Sequence, residues 1–143
     1  MNWSDKALAT IPELTPWEGC ETCAFLVGKE GSLDVLEVWP TPSLTPSPEN
    51  YSIGKRAWEG AKKRARSLDM VVIGTIHTHP LGPEGPSPQD EACACFLRPP
   101  DRIRAVWHPK SGKLTTYNGQ GVLDQRTLPR SLKLRLFAFW AFD

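Results

Sequence analysis

The 143-residue sequence lacks a long hydrophobic run and lacks a strong excess of either charge. A transmembrane helix needs about 20 consecutive apolar residues, and no stretch of this chain approaches that length. The amino terminus, MNWSDKALATIPEL, has no basic start followed by a long apolar segment, so it does not indicate a signal peptide. The formal net charge of +1 gives no global attraction to nucleic acid or to an anionic membrane. These absences predict a cytoplasmic protein that binds neither nucleic acid nor a membrane.

Cysteine is also scarce, with four residues in two close pairs, Cys20 with Cys23 and Cys93 with Cys95. A C-x-x-C pair and a C-x-C pair together would suggest a zinc knuckle, but C-x-C is a poor spacing for zinc. Both pairs stand inside apolar runs. We therefore expect small buried side chains in a reducing compartment.

The patterns that are present indicate one α/β (α+β) domain over residues 1–143. Short apolar runs bounded by turn residues predict strands, and stripes at 3.6-residue spacing predict helices. The carboxy-terminal segment is expected to form a packed helix, and its surplus aromatic residues would also suit a homodimer interface. The predicted strands are 21–28, 33–39, 70–76, 102–109 and 113–118, and the predicted helices are 53–68, 87–98 and 123–143.

Between the second predicted strand and the first helix, residues 40–50 contain four prolines, which predicts an extended loop. A surface connection is the simpler interpretation, and a segment that docks a partner is the alternative. Ser52 is predicted to cap the helix that follows. The basic face of this helix is expected to be solvated, because its cations are not interleaved with the stacking aromatics typical of nucleic-acid binding.

Two of the chain's three histidines, His77 and His79, follow directly after the predicted strand 70–76. Side chains alternate along an extended chain, so both imidazoles should point to the same side. Asp90 follows eleven positions after His79, across a Pro/Gly loop. Two histidines and a carboxylate are a common ligand set for catalytic zinc, and they also form the facial triad of iron oxygenases.

Simpler interpretations of these residues need no metal. Ser87 and Asp90 have the spacing of a helix capping box, and His108 precedes a proline at a predicted hairpin end, where it should be a turn residue. Several other metal motifs are absent: the chain has no H-E-x-x-H and no P-C-x-x-C, which excludes the thermolysin and zinc-deaminase patterns.

The combination HTHP (77–80) and SPQD (87–90) resembles the signature of the JAMM/MPN+ (Mov34/PAD-1-like, prokaryotic JAB) zinc metalloprotease family. That family also places a glutamate at the start of an early apolar strand, and ETCAFLVGK, beginning at Glu21, is similar to that segment. The resemblance covers roughly residues 18–118. Thr78 and Ala24 depart from the residues most frequent in the family, and neither is at a ligand position.

The resemblance implies an MPN/JAB-like fold of cytidine-deaminase-like architecture, in which helices flank a mixed central β-sheet. It implies that one zinc ion per chain binds to His77, His79 and Asp90, with water as the fourth ligand. Glu21 would accept the proton of that water and pass it to the leaving amine, and burial should raise its pKa. Ser87 would donate a hydrogen bond to the oxyanion of the tetrahedral intermediate.

The implied activity is zinc-dependent hydrolysis of a peptide or isopeptide bond after the carboxy-terminal Gly-Gly of a ubiquitin-like or sulfur-carrier protein. The partner would be that protein or its conjugate. Three alternatives remain open: a non-catalytic scaffold of the same fold, an iron oxygenase that uses the same three ligands, and a nucleic-acid binder that uses the basic helix.

Overall fold

One mixed sheet carries the elements that form the site. The computed structural model describes residues 1–14 and 19–129. In this part of the chain, six strands follow the order β2-β1-β3-β4-β5-β6. The strands are β1 Cys23–Gly28, β2 Glu37–Thr41, β3 Val71–Thr78, β4 Ile103–His108, β5 Lys113–Asn118 and β6 Gly121–Thr127, and the α-helices are α1 Asp5–Thr10, α2 Lys55–Ser67 and α3 Pro88–Ala94.

Strand β3 lies inside the sheet, between β1 and β4. It runs antiparallel to β1 and parallel to β4, and every other strand pair is antiparallel. The parallel pair needs a crossover connection, and α3 lies in the segment that makes it. The prediction of a mixed central sheet flanked by helices is confirmed.

Gly74 explains how closely β3 and β4 approach each other. A Cβ atom built at this position would lie 2.1 Å from the backbone oxygen of Ile103, which is far inside van der Waals contact. Glycine is the residue that permits such an approach of two backbones. The close pairing fixes the end of β3, where the two histidines stand, against β4.

The two faces of the sheet are covered by different helices. On one face, α1 contributes Ala7 and Ile11 to the larger core cluster. On the other face, α2 packs through Ala61 and Ala65, and α3 packs through Ala94 against Val106 and Tyr117. The gap between α2 and α3, above β3 and β4, is where the predicted site residues meet.

Two local predictions in the segment before α2 are wrong. Ser52 does not cap that helix, because the N-cap position is Gly54 and it makes no side-chain cap hydrogen bond. Strand β2 begins at Glu37 and continues through Pro40 to Thr41, where a loop was expected. Pro40 is tolerated because β2 is an edge strand, so its missing N–H leaves no ladder bond unmade.

The predicted helix over residues 123–143 is wrong at its beginning, because β6 extends to Thr127. Residues 130–143 lie outside the described part of the chain, so their helix, the homodimer interface and the extent of the single domain stay predictions. Helix α3 ends at Ala94, earlier than expected. In the described ranges, no helix is long and apolar enough to cross a membrane.

The cysteines do not all have the burial that their apolar neighbourhoods predict. Cys23 is buried, whereas Cys93 and Cys95 are exposed. The prediction of small buried side chains is therefore wrong for the second pair. Helix α3 is short and buries mainly Ala94, which leaves the cysteines on either side of that residue exposed.

Candidate metal centre

The end of β3 presents His77 and His79 beside the segment that leads into β1. In the antiparallel ladder Cys23 lies opposite His77, so continuing the register by two residues places Glu21 opposite His79. Two hydrogen bonds extend the pairing in that direction: the Thr22 N–H donates to Thr78 Oγ1 at 2.8 Å, and the Thr78 N–H donates to the Thr22 carbonyl at 2.9 Å. Glu21 is buried here, with 6% of its surface exposed.

Three ligand-type atoms from two elements lie within contact of one another. The Nε2 atoms of His77 and His79 are 3.1 Å apart. The Oδ2 atom of Asp90, on α3, is 3.3 Å from Nε2 of His77 and 3.1 Å from Nε2 of His79. The structure thus brings together residues that are 13 positions apart in sequence.

These distances suit a tetrahedral metal ion. With zinc–nitrogen and zinc–oxygen bonds near 2 Å, two ligands of a tetrahedral site should be about 3.3–3.4 Å apart. Glu21, His77 and His79 also form a buried group whose ligand atoms all lie within 4.8 Å of one another, so this group could hold a metal ion too. The two sets share both imidazoles and differ in the carboxylate. The 3.1 and 3.3 Å contacts of Asp90 match the tetrahedral spacing most closely.

The imidazole of His79 is oriented by a backbone carbonyl. Its Nδ1 atom lies 2.8 Å from the oxygen of Pro83. Because a carbonyl only accepts, Nδ1 must carry a proton, so in the neutral ring the lone pair of Nε2 faces the cluster. An outer partner of this kind fixes the tautomer of a metal-binding histidine.

The imidazole of His77 is held differently. Its Nδ1 atom is buried and has no hydrogen-bond partner among the described residues. The ring of Tyr51 stacks on it, with centroids 4.4 Å apart and an interplanar angle of 20°. The orientation of His77 therefore depends on ring stacking together with the contacts of its Nε2 atom.

Ser87 and Asp90 form a complete capping box at the start of α3. The Asp90 N–H donates to Ser87 Oγ at 3.1 Å, and the Ser87 N–H donates to Asp90 Oδ2 at 2.9 Å. Oδ2 of Asp90 contacts both imidazoles and also completes the capping box, so the two roles are compatible in this geometry. Ser87 Oγ only accepts in this box, so its own O–H remains available to donate.

The buried carboxyl and imidazole groups have shifted pKa values. Burial raises the pKa of Glu21 to about 7, His79 opposes this shift, and Asp90 and Glu49 add to it. The predicted direction for Glu21 is confirmed. Burial alone would raise the pKa of Asp90, but hydrogen bonds with His77 and His79 hold it well below its usual range.

The two imidazoles respond differently to their surroundings. Burial lowers the pKa of His77, which favours the neutral form that binds metals. Burial also acts to lower the pKa of His79, but the hydrogen bonds with Asp90 and with the carbonyl of Pro83 outweigh it and raise that pKa.

Two cavities border the centre. One of about 260 Å³ lies between α2 and α3 and is lined by Glu21, Tyr51, Trp58, Asp90 and Arg104 among others. The second, of about 320 Å³, is lined by His79, Ser87 and the loop that carries Leu81 and Pro83. Glu49 and Gln89 line both, so they stand at the boundary between the two.

Sequence reasoning missed two residues that shape the site, Tyr51 and Glu49. Glu49 belongs to the proline-rich loop and Tyr51 follows it directly. This loop packs over the centre, because the Glu21 N–H donates to the carbonyl of Ser47 at 2.7 Å. A lone tyrosine after a proline-rich stretch gives no pattern that would mark it as a neighbour of His77. His108 is the buried last residue of β4, so the prediction of a turn residue is wrong by one position; its ring contacts the turn through a 2.7 Å hydrogen bond with Ser111.

The chain matches a known protein family and several solved structures. The family described as prokaryotic homologs of the JAB domain matches residues 7–109. The chain therefore belongs to the prokaryotic JAB family, and the resemblance deduced from the HTHP and SPQD segments is confirmed.

Solved structures agree with this assignment. A protein from Desulfitobacterium hafniense is 27% identical, with a TM-score of 0.64 and 90% of both chains covered. A JAB1/MPN domain protein from Archaeoglobus fulgidus is 20% identical, with a TM-score of 0.55, and the match covers 90% of this chain and all of that one. A protein from Salinibacter ruber is 19% identical, with a TM-score of 0.53, over 92% of this chain and 84% of the other. The last two identities show the fold alone.

One curated relative is named for an activity and not for a JAB domain. A catalase-peroxidase from Rhizobium etli (strain ATCC 51251 / DSM 11541 / JCM 21823 / NBRC 15573 / CFN 42) is 28% identical over 98 residues, which is 68% of this chain. The chain spans 12% of the length of that protein. The name therefore describes a much longer molecule, of which the matched segment is a small part.

Proposed function

We propose that the protein is a zinc-dependent peptidase or isopeptidase that cleaves after the carboxy-terminal Gly-Gly of a ubiquitin-like or sulfur-carrier protein. The observation that carries this proposal is the convergence of His77, His79 and Asp90 at 3.1–3.3 Å, with the buried carboxyl of Glu21 beside them. His77, His79 and Asp90 would hold the ion. When bound, zinc acts as a Lewis acid and lowers the pKa of water toward about 7.

Glu21 is suited to move a proton during hydrolysis. Its pKa of about 7 means that the carboxylate and the carboxylic acid are both populated near neutral pH. It can therefore take a proton from the attacking water and return it to the departing amine, which is what general acid–base catalysis requires of one group. Its burial keeps bulk water from competing for that proton.

Ser87 is suited to stabilise the charge that develops on the scissile carbonyl oxygen. Its hydroxyl accepts from the Asp90 N–H, which fixes the position of Oγ while leaving the O–H free to donate. A preorganised donor of this kind typically contributes a factor of about 100 or more in rate. The capping role and the catalytic role are compatible, because they use different parts of the same hydroxyl group.

The cavity of about 320 Å³ beside His79 and Ser87 is the proposed path of the substrate tail. One wall is the loop with Leu81, Gly82 and Pro83, and Glu49 and Gln89 stand at the boundary with the other cavity. Residues without side chains can run close to a backbone wall, which would favour a Gly-Gly tail over bulkier sequences.

The test uses ubiquitin-like and sulfur-carrier proteins with a short reporter fused after the Gly-Gly tail. Zinc-loaded wild-type protein should release the reporter, and mass spectrometry should place the cut after the second glycine. A chelator should stop the reaction and added zinc should restore it. Glu21→Gln should lower kcat by at least about 1,000-fold while the bound metal, measured by elemental analysis, stays near one ion per chain.

Glu30→Gln is the matched control, because Glu30 is an exposed carboxylate in the turn after β1; its kcat should equal that of the wild type. Cleavage that survives Glu21→Gln would reject the assigned role of this residue. Iron in protein purified without added metal, together with oxygen consumption, would instead establish the oxygenase alternative. Stoichiometric zinc without cleavage of any fusion would favour the scaffold alternative.

A further inference from the structure

The exposed face of α2 carries more positive charge than any other helix or strand in the described part of the chain. Helix α2 has six cations and one anion, a net charge of +5, whereas the whole chain has +1, so the remaining residues sum to −4. All six cations are exposed. The cationic surface consists of Lys55, Arg56, Lys62, Lys63, Arg64 and Arg66.

This cationic surface is not neutralised by the protein itself. None of its six side chains forms an ion pair within the described residues, whose ion pairs all lie elsewhere. Two of the cations are held over indole rings: Lys62 lies 5.5 Å from the ring centre of Trp58, and Arg64 lies 4.1 Å from that of Trp39. Cation–π contacts restrict these side chains without cancelling their charge, so part of the surface is preorganised.

The cationic surface borders the cavity that contains Glu21. The cavity is lined by Trp58, whose ring is contacted by Lys62, and by Ile53, which precedes α2. The lining of the cavity contains three carboxyl groups, those of Glu21, Glu49 and Asp90, and one cation, Arg104. An acidic protein would therefore be attracted to the helix more than to this cavity. Its uncharged tail would pass on to the neighbouring cavity beside His79 and Ser87, which shares Glu49 and Gln89 with this one.

We propose that the cationic surface of α2 docks the folded body of an acidic protein partner, whose flexible tail reaches the neighbouring metal centre. This inference rests on the proposed function and specifies the charge of its substrate. Attraction between complementary surfaces acts mainly on association and selectivity, so the surface should lower KM without changing kcat.

The aromatic residues on this face argue against single-stranded nucleic acid as the occupant. Base stacking needs an open ring face. Trp39 is 7% exposed, and the ring of Trp58 is contacted by Lys62 and, edge-on at 5.1 Å, by Phe25. The low net charge of the chain also gives little long-range attraction to a polyanion.

Binding is measured by fluorescence anisotropy with zinc-loaded Glu21→Gln protein, which should hold a tail without cutting it. The probes are ubiquitin, a ubiquitin variant with several added glutamates around the base of its tail, and a single-stranded oligonucleotide. At low salt the glutamate-enriched probe should bind at least roughly tenfold more tightly than ubiquitin, and about 0.5 M salt should remove the difference.

Two triple variants with the same change in charge separate a local effect from a global one. Arg56→Glu, Lys63→Glu and Arg66→Glu together remove exposed cations of α2 while sparing the two that contact indole rings. Together they should weaken binding of the glutamate-enriched probe by roughly tenfold or more. Lys29→Glu, Arg98→Glu and Lys110→Glu, all exposed and outside α2, should change it less than about twofold. Circular dichroism checks that each variant is folded.

The outcomes for docking and for catalysis are distinguishable. Equal weakening by both triple variants, no preference for the glutamate-enriched probe, or tighter binding of the oligonucleotide would each overturn the docking proposal. Salt-sensitive binding that is lost only in the α2 variant, without cleavage by the wild type, would support docking and reject the proposed peptidase. Cleavage with the same KM in the wild type and in the α2 triple variant would reject the docking proposal and support the proposed peptidase.

Discussion

A single oxygen of Asp90 links the start of α3 to the metal centre. Oδ2 accepts the N–H of Ser87 at 2.9 Å and lies 3.1 and 3.3 Å from the two imidazoles. The capping box therefore holds the carboxylate in place before any ion arrives. Preorganisation of this kind lowers the cost of assembling a ligand set. It also explains why a short helix, anchored to the sheet mainly by one alanine, can position a ligand-type atom.

Tyr51 offers a test of how His77 is oriented. Tyr51→Phe keeps the ring that stacks on His77, so we expect zinc affinity within about threefold of the wild type. Tyr51→Ala removes the ring that packs against the imidazole, so affinity should fall by roughly 10–100-fold. Competition with a chromophoric chelator measures both values without relying on activity. Equal losses in the two variants would mean that the phenol hydroxyl, and not the ring, orients His77.

The cysteines provide a second prediction at the level of single residues. Burial, with a further contribution from Glu21, raises the pKa of Cys23 from 9.0 to about 11. Only the thiolate reacts with alkylating reagents, so near pH 8 the reactive fraction should fall by roughly 100-fold. Iodoacetamide should therefore label the exposed Cys93 and Cys95 in the folded protein and label Cys23 only after denaturation. Peptide mass spectrometry measures the sites, and early labelling of Cys23 would contradict the prediction.

At the level of elements, the sequence predicts a strand correctly where the strand is buried and therefore apolar. The β-branched run before His77 predicts a strand, and β3 is buried along nearly its whole length. In contrast, β6 is exposed at most positions, so its residues carry no apolar alternation that would identify a strand. Helix α1 is only six residues long, too short for a periodic pattern to be recognised.

Gly74 gives a prediction about the pairing of two elements. Gly74→Ala would place a Cβ atom 2.1 Å from the Ile103 oxygen of β4, and relief requires the two strands to separate. We expect a loss of at least about 2 kcal/mol in the free energy of unfolding. Gly60→Ala in α2 is the matched control, because a Cβ there has nothing within 4 Å, and alanine should stabilise the helix by about 0.5–1 kcal/mol. Urea denaturation measures both, and a neutral Gly74→Ala would contradict the close approach.

At the scale of the whole molecule, the site depends on contacts that no local pattern contains. His77, His79, Ser87 and Asp90 form one recognisable stretch of sequence, and Glu21 was found through its resemblance to a family segment. The β1–β3 register is what places Glu21 beside His79. The packing of the proline-rich loop over the centre, through the Glu21–Ser47 backbone bond, arises from tertiary structure. That is why Tyr51 and Glu49 were not predicted.

Because the proposed ligands come from the end of β3 and from α3, which are distant in sequence, a bound ion should stabilise the fold as a whole. An ion present at about 100 times its dissociation constant adds roughly 2.7 kcal/mol to the free energy of unfolding, which for a domain of this size should raise Tm by roughly 5–10 °C. Differential scanning fluorimetry with and without zinc measures the shift. Glu21→Gln should retain the shift, since its carboxylate is assigned to proton transfer, whereas His79→Ala should lose it. An equal shift in His79→Ala would mean that zinc stabilises the protein from a different site.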